Sequence, residues 1–159
     1  MRILVTNDDG VQADGLFALF QALSQVGDVT VVAPERQQSA TGHAITLHKP
    51  LRLTPTTLRD GTAAFMSNGT PSDCATLGIL EAMGGDVDLV VSGINHGPNL
   101  GWDLHYSGTV SAAIEAAIIG KPSLAVSVAS WEKDMHFEPV ARFAAQVAQW
   151  LVAHPLPPN

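Results

Sequence analysis

Four short aliphatic runs, RILVT (2–6), DVTVVAP (28–34), VDLVVSG (87–93) and SLAVSVA (123–129), alternate with stretches of helical periodicity. This alternation constrains the fold more than any other feature. Short runs rich in β-branched residues are the pattern of strands covered on both faces. Between the first two, GLFALFQALSQVG (15–27) places Leu16, Leu19, Phe20 and Leu23 on one helical face and stops at Gly27. TPSDCATLGILEAMGG (70–85) opens with Thr70 as an N-cap, Pro71 in the first turn and Asp73 at capping-box distance. SGTVSAAIEAAIIG (107–120) is apolar nearly all round, which predicts a helix buried against the sheet, with Ser107 as its cap. Residues 138–153 carry Val140, Ala144, Val147 and Leu151 at helical spacing. Strands and helices in alternation predict an α/β fold: a three-layer, doubly wound, mostly parallel, Rossmann-like sheet with right-handed crossovers.

Residues of about 44–67 interrupt this rhythm. Pro50, Pro55 and the turn pairs Asp60-Gly61 and Asn68-Gly69 predict short antiparallel strands, a small β insertion projecting from the sheet after the second strand. A length of 159 residues suits one domain, 1–159, and the ending AHPLPPN comes where another strand could begin.

Charge narrows the function. Fifteen acidic against eight basic residues give a net charge of −7, unsuited to gripping a nucleic acid polymer or an anionic membrane by bulk electrostatics. An anionic substrate would need a local positive centre. The single cysteine, Cys74, excludes an intrachain disulfide and a thiolate metal cluster, reads as a core residue, and fits a cytoplasmic setting. Neither a signal-peptide core nor an uninterrupted apolar stretch of about 18 residues is expected.

In an open parallel sheet, ligands gather outside the carboxyl ends of the strands. The first strand is followed there by Asn7, Asp8 and Asp9, the second by Ser39, Thr41 and His43, and the third by Asn95, His96, Asn99, Asp103, His105, Ser107 and Thr109. Asp8 and Asp9 could cap the next helix. As neighbouring carboxylates they would also repel in a semi-buried site unless a divalent cation lay between them. Oxygen donors without cysteine suit Mg²⁺ or Mn²⁺. The free N–H groups at the start of the 107–120 helix favour a phosphate. His43, His96 and His105 read as loop hydrogen-bonders or as a general acid. Glu115, the lone charge on an apolar helix, is expected to bond a loop backbone.

Four segments, ILVTNDDG, VVAPERQQSATGHAIT, NGTPSDCA and SGINHGPNLGWDLHYSGTVSAAIEA, stand in order across residues 3–116. Together they resemble the SurE family, the stationary-phase survival proteins that act as metal-dependent 5′-nucleotidases. The resemblance implies a SurE-like fold with Asp8, Asp9, Ser39 and Asn95 holding one divalent cation per subunit, Mg²⁺ or Mn²⁺. It places Ser107, Gly108 and Thr109, with Asn95, beside the substrate phosphate, and Asp8 and Asp9 at the catalytic centre; a second role for Asp8, as base to the attacking water, is expected on mechanistic grounds. Substrates would be nucleoside 5′-monophosphates, with 3′-monophosphates and short polyphosphate as further candidates. Family members are usually longer, with C-terminal segments that complete the sheet and exchange between subunits. That extension is expected to be absent here, and a homodimer or homotetramer is expected. Trp102 stands where an acidic residue is common in the family, and EAA (115–117) replaces a more usual Glu-Gly.

Other α/β phosphate chemistries fit less well. A haloacid-dehalogenase-type phosphatase needs Asp-x-Asp, but the offset here gives Asn7-x-Asp9, and Asn cannot form an aspartyl phosphate. A receiver domain needs an acceptor Asp after a later strand, absent from DLVVSGIN; a dinucleotide site needs Gly-x-Gly-x-x-Gly, absent from TNDDGVQADG. The alternative from another class is a noncatalytic metal- or nucleotide-binding domain, or a fragment that needs further C-terminal chain for activity.

Overall fold

The computed structural model describes residues 1–132 and 135–154; the proline-rich end, 155–159, lies outside the described residues. The elements run β1 (Arg2–Thr6), α1 (Asp14–Leu23), β2 (Asp28–Pro34), β3 (Leu53–Thr57), β4 (Ala63–Ser67), α2 (Pro71–Leu77), β5 (Leu89–His96), α3 (Gly108–Ile118), β6 (Ser123–Val128) and α4 (Glu138–Ala153). A π-helical turn, Gly78–Ala82, continues α2, and a 3₁₀ turn, Gly101–His105, precedes α3. The sheet order is β3-β4-β2-β1-β5-β6, with β3 the antiparallel member.

Alternation along β1 divides the core into two layers. Ile3 and Val5 pack with Leu16, Leu19 and Leu23 of α1 and Ala144 and Ala148 of α4, whereas Leu4 faces Cys74, Ile79 and Ala116 on the other side. All of these are removed from water, which is the main driving force for the three-layer stack. The parallel α/β sheet is therefore as its sequence predicts.

Two local expectations change. The antiparallel pair β3–β4 forms, but it does not project: β4 pairs in parallel with β2, with Val32 opposite Phe65 and Pro34 opposite Ser67, so the insertion extends the sheet. The free edge of β2 supplies unpaired N–H and C=O groups, and β4 satisfies them. Helix α3 buries its small residues, Ala112, Ala113 and Ala116, and leaves Ile114 and Ile118 at 44% and 68% exposure. Close approach to the sheet and α2 admits only the alanines, so the bulky side chains fall on the opposite face.

The chain passes from β1 to β2 on one side and reaches β5 on the other. The order therefore reverses at β1, and the crevice beyond its carboxyl end is the natural ligand site of such a sheet.

Candidate active site

Asn7 closes the turn after β1 by donating Nδ2–H to the Gly10 carbonyl at 3.0 Å and accepting the Gly10 N–H at 3.2 Å. Gly10 has φ +102°, a conformation that L side chains rarely adopt, so glycine lets the chain turn back sharply here. The turn leaves Asp8 and Asp9 at the sheet's edge. Neither caps α1, whose N-cap is Ala13 without a side-chain bond. Asp8 is only 5% exposed, and its Oδ1 accepts the Thr109 hydroxyl at 2.5 Å. Asp9 accepts from Gln37 Nε2 at 3.3 Å and, more distantly, from the His96 N–H at 3.4 Å.

The loop after β2 is drawn onto this turn by the Gln38 N–H, which donates to the Asp8 carbonyl at 2.7 Å. Ser39 follows immediately. At the end of β5, Asn95 donates Nδ2–H to the Gly97 carbonyl at 2.9 Å, which leaves its own side-chain carbonyl oxygen available. Ser107 caps α3 by accepting the Val110 N–H at 3.1 Å. Asp8, Asp9, Ser39, Asn95 and Ser107 all line one open cavity of about 340 Å³. Gly108 and Thr109 sit behind it: both are buried, and they support Asp8 from below. A Cβ on Gly108 would lie 2.7 Å from that of Asp8.

Burial pushes the Asp8 carboxyl above its ordinary range; the Thr109 hydrogen bond opposes this, and the charge of Asp9 adds to it. Burial likewise raises Asp9, opposed by the His96 N–H and by Gln37. Among the described residues the cavity lining holds Asp8, Asp9 and Asp103 but no Lys or Arg. Two crowded carboxylates, a hydroxyl and an amide oxygen suit a hard divalent cation that retains some waters. Among the described residues, no three His, Cys, Asp or Glu side chains cluster as a metal site, so the fit depends on the neutral oxygens.

One residue finds a partner of another kind than expected. Glu115 bonds a side chain, His43, and not a loop backbone. His96 Nε2 bonds the Glu132 carbonyl at 2.9 Å, and the His105 ring lies beside Trp102. Cys74 is fully buried, as expected of a core residue. Sequence reasoning missed Gln37, Tyr106 and Trp131, which also line the cavity. The loops of Gln37 and Tyr106 were flagged by position and that of Trp131 was not; the direction of a long side chain leaves no local pattern. Among the described residues no helix is long and apolar enough to cross a membrane.

Known proteins share this sequence and this fold. The family described as "Survival protein SurE" matches residues 3–159. The chain is 53% identical to the 5′-nucleotidase SurE of Pelobacter propionicus over 99% of its own length and 62% of that protein's. For the 5′-nucleotidase SurE of Geobacter sulfurreducens the values are 52%, 99% and 58%. The crystal structure of the Aquifex aeolicus SurE protein superposes with a TM-score of 0.89 at 39% identity, covering 99% of this chain and 62% of that one. The chain thus spans about three fifths of the length of these relatives. A matching profile across nearly every residue, and the same fold at 39% identity, establish that the chain belongs to the SurE family.

Proposed function

We propose that this chain is a metal-dependent phosphomonoesterase that hydrolyses nucleoside 5′-monophosphates to nucleoside and phosphate. One observation carries the reading: the described lining of the cavity is acidic, with Asp8, Asp9 and Asp103 and no Lys or Arg, yet it opens on the capped N-terminus of α3. Three carboxylates repel a phosphate dianion, and a bound cation removes that repulsion. The relatives' name, 5′-nucleotidase SurE, supports the substrate class.

Asp8, Asp9, Ser39 and Asn95 would hold one Mg²⁺ or Mn²⁺. When bound, the cation supplies charge neutralisation at the phosphoryl group and lowers the pKa of nearby water. The chain's own residues do the rest. Ser107 and the free N–H groups of α3 orient the phosphate and stabilise charge that develops on it. Asp8, held by Thr109, is placed to accept the proton of the attacking water as the new P–O bond forms and the bond to the 5′ oxygen breaks. Gln37 keeps Asp9 in place. Tyr106 and Trp131, both largely exposed on the cavity rim, offer flat apolar faces to the nucleobase. Nucleoside 3′-monophosphates and short polyphosphate would share the phosphate grip. A cytoplasmic homodimer or homotetramer completes the reading, supported by the lone cysteine and by apolar side chains left exposed, among them Ile118 and Phe143.

Phosphate release from a panel of 5′- and 3′-nucleoside monophosphates, with Mn²⁺, Mg²⁺ or excess chelator, tests the proposal. Metal-dependent release that disappears in Asp8→Asn and Asp9→Asn is expected. Folded protein that binds Mn²⁺ and releases nothing would overturn it.

A further inference from the structure

Glu115 is the one charged residue of α3, and nothing in the proposed chemistry uses it. Its side chain is 17% exposed, and Oε2 accepts from His43 Nε2 at 2.7 Å while Oε1 accepts the Thr76 hydroxyl at 3.3 Å. The carboxylate thus joins three elements: α3, α2 and the loop that carries Ser39. A charge-assisted bond in this half-buried setting is stronger than its exposed counterpart.

The loop needs such a tie. Ser39 and Ala40 are exposed, and Ala40 has φ 56°, a left-handed conformation unfavourable for a residue with a Cβ. Strain of this kind persists only where the surroundings over-determine it. Four bonds do so here: the Gln38 N–H to the Asp8 carbonyl at 2.7 Å, the Thr41 hydroxyl to the Gln38 carbonyl at 3.0 Å, the Gly42 N–H to the Tyr106 carbonyl at 3.0 Å, and His43 to Glu115. The first precedes Ser39, the second spans it, and the other two follow it.

We propose that the His43–Glu115 pair is a latch that positions the Ser39 hydroxyl beside Asp8 and Asp9, and so sets cation affinity without touching the cation. The proposal rests on the reading of Ser39 as a ligand. Its mechanism is a population effect: releasing the latch lowers the fraction of molecules whose loop is ready to bind, and the apparent dissociation constant rises by that factor. Glu115 acting through its charge alone predicts otherwise, because removal of His43 would leave that charge in place.

Calorimetric titration of the metal-free chain with Mn²⁺ separates these possibilities, with the metal-free Tm measured for every variant. His43→Ala is expected to weaken Mn²⁺ binding on the order of tenfold. His43→Gln, whose amide can stand in for Nε2–H, should keep most of the affinity. Should His43→Ala not fold, His43→Asn, whose shorter amide stops short of Glu115, takes its place with the same expectation. The decisive comparison is made in a Ser39→Ala background, where loss of His43 should weaken binding no further. Additive losses there, or a lowered Tm with native Mn²⁺ affinity, would overturn the latch. If Ser39→Ala itself binds like the native chain, the ligand reading of Ser39 fails and takes the latch with it. If Ser39→Ala is weak and His43→Ala is native-like, the latch alone fails.

Discussion

Thr109 donates its hydroxyl to Asp8 Oδ1 at 2.5 Å, joining the turn after β1 to the first turn of α3 across 101 residues of sequence. The bond fixes the rotamer of a carboxylate that burial would otherwise tend to neutralise. Thr109→Val keeps the shape and removes the donor. Mn²⁺ affinity should fall roughly 10- to 100-fold, as it does when other supporting partners of a metal ligand are lost. Thr109→Ser should retain most of it. Equal Mn²⁺ affinity in the valine variant would show that Asp8 is positioned by other means.

Asp8→Asn should bind cation poorly and yet be the more stable protein in excess chelator. Burial raises the Asp8 carboxyl above its unfolded value, so the native state holds its proton more tightly than the unfolded state does. The associated stability is present below the ordinary carboxylate pKa and is lost as pH rises through the raised one. Thermal unfolding of the chelated proteins from pH 4 to 7 should therefore show the Tm of the native chain slipping behind that of Asp8→Asn as pH increases. Saturating Mn²⁺ should reverse the order. A constant gap between the two across this range would contradict the assigned cause.

Gly108→Ala tests the packing under the site. Alanine is ordinarily the better helix former. Here its Cβ would lie 2.7 Å from the Asp8 Cβ and 3.0 Å from both Asp8 Oδ2 and Pro71 Cγ. Asp8 must move, so Mn²⁺ binding and phosphate release should both drop at least tenfold while far-ultraviolet circular dichroism stays native, given about 1–3 kcal/mol for relieving such overpacking. Native affinity would mean that α3 can shift to absorb the methyl group.

Trp131→Ala probes the proposed nucleobase contact. Stacking of one base on an aromatic ring is worth about 1–3 kcal/mol, so KM for nucleoside monophosphates should rise on the order of tenfold. Ribose 5-phosphate, which has no base, should be unaffected. An equal rise for both would point to a disturbed loop, since the indole packs directly against Gly97 beside Asn95.

What the sequence determined alone is whatever depends on a few consecutive residues. The strands β1, β2, β5 and β6 lie where their aliphatic runs stand, Thr70 and Asp73 form the capping box, and Ser107 caps α3, because dihedral preference and capping bonds act within three or four positions. The neighbourhood of the site was legible for a related reason, since a parallel sheet brings its strand ends together; the choice of Asp8, Asp9, Ser39 and Asn95 within it came from the resemblance to the SurE family. Tertiary structure decided the rest. It chose β2 as the partner of β4, turned the alanines of α3 inward and its isoleucines outward, and put Thr109 beneath Asp8 and not into the cavity. It also gave Glu115 a partner 72 residues away. Contacts at such separations are settled by how packed layers close on one another, and a local pattern of residues carries no record of which distant group will arrive.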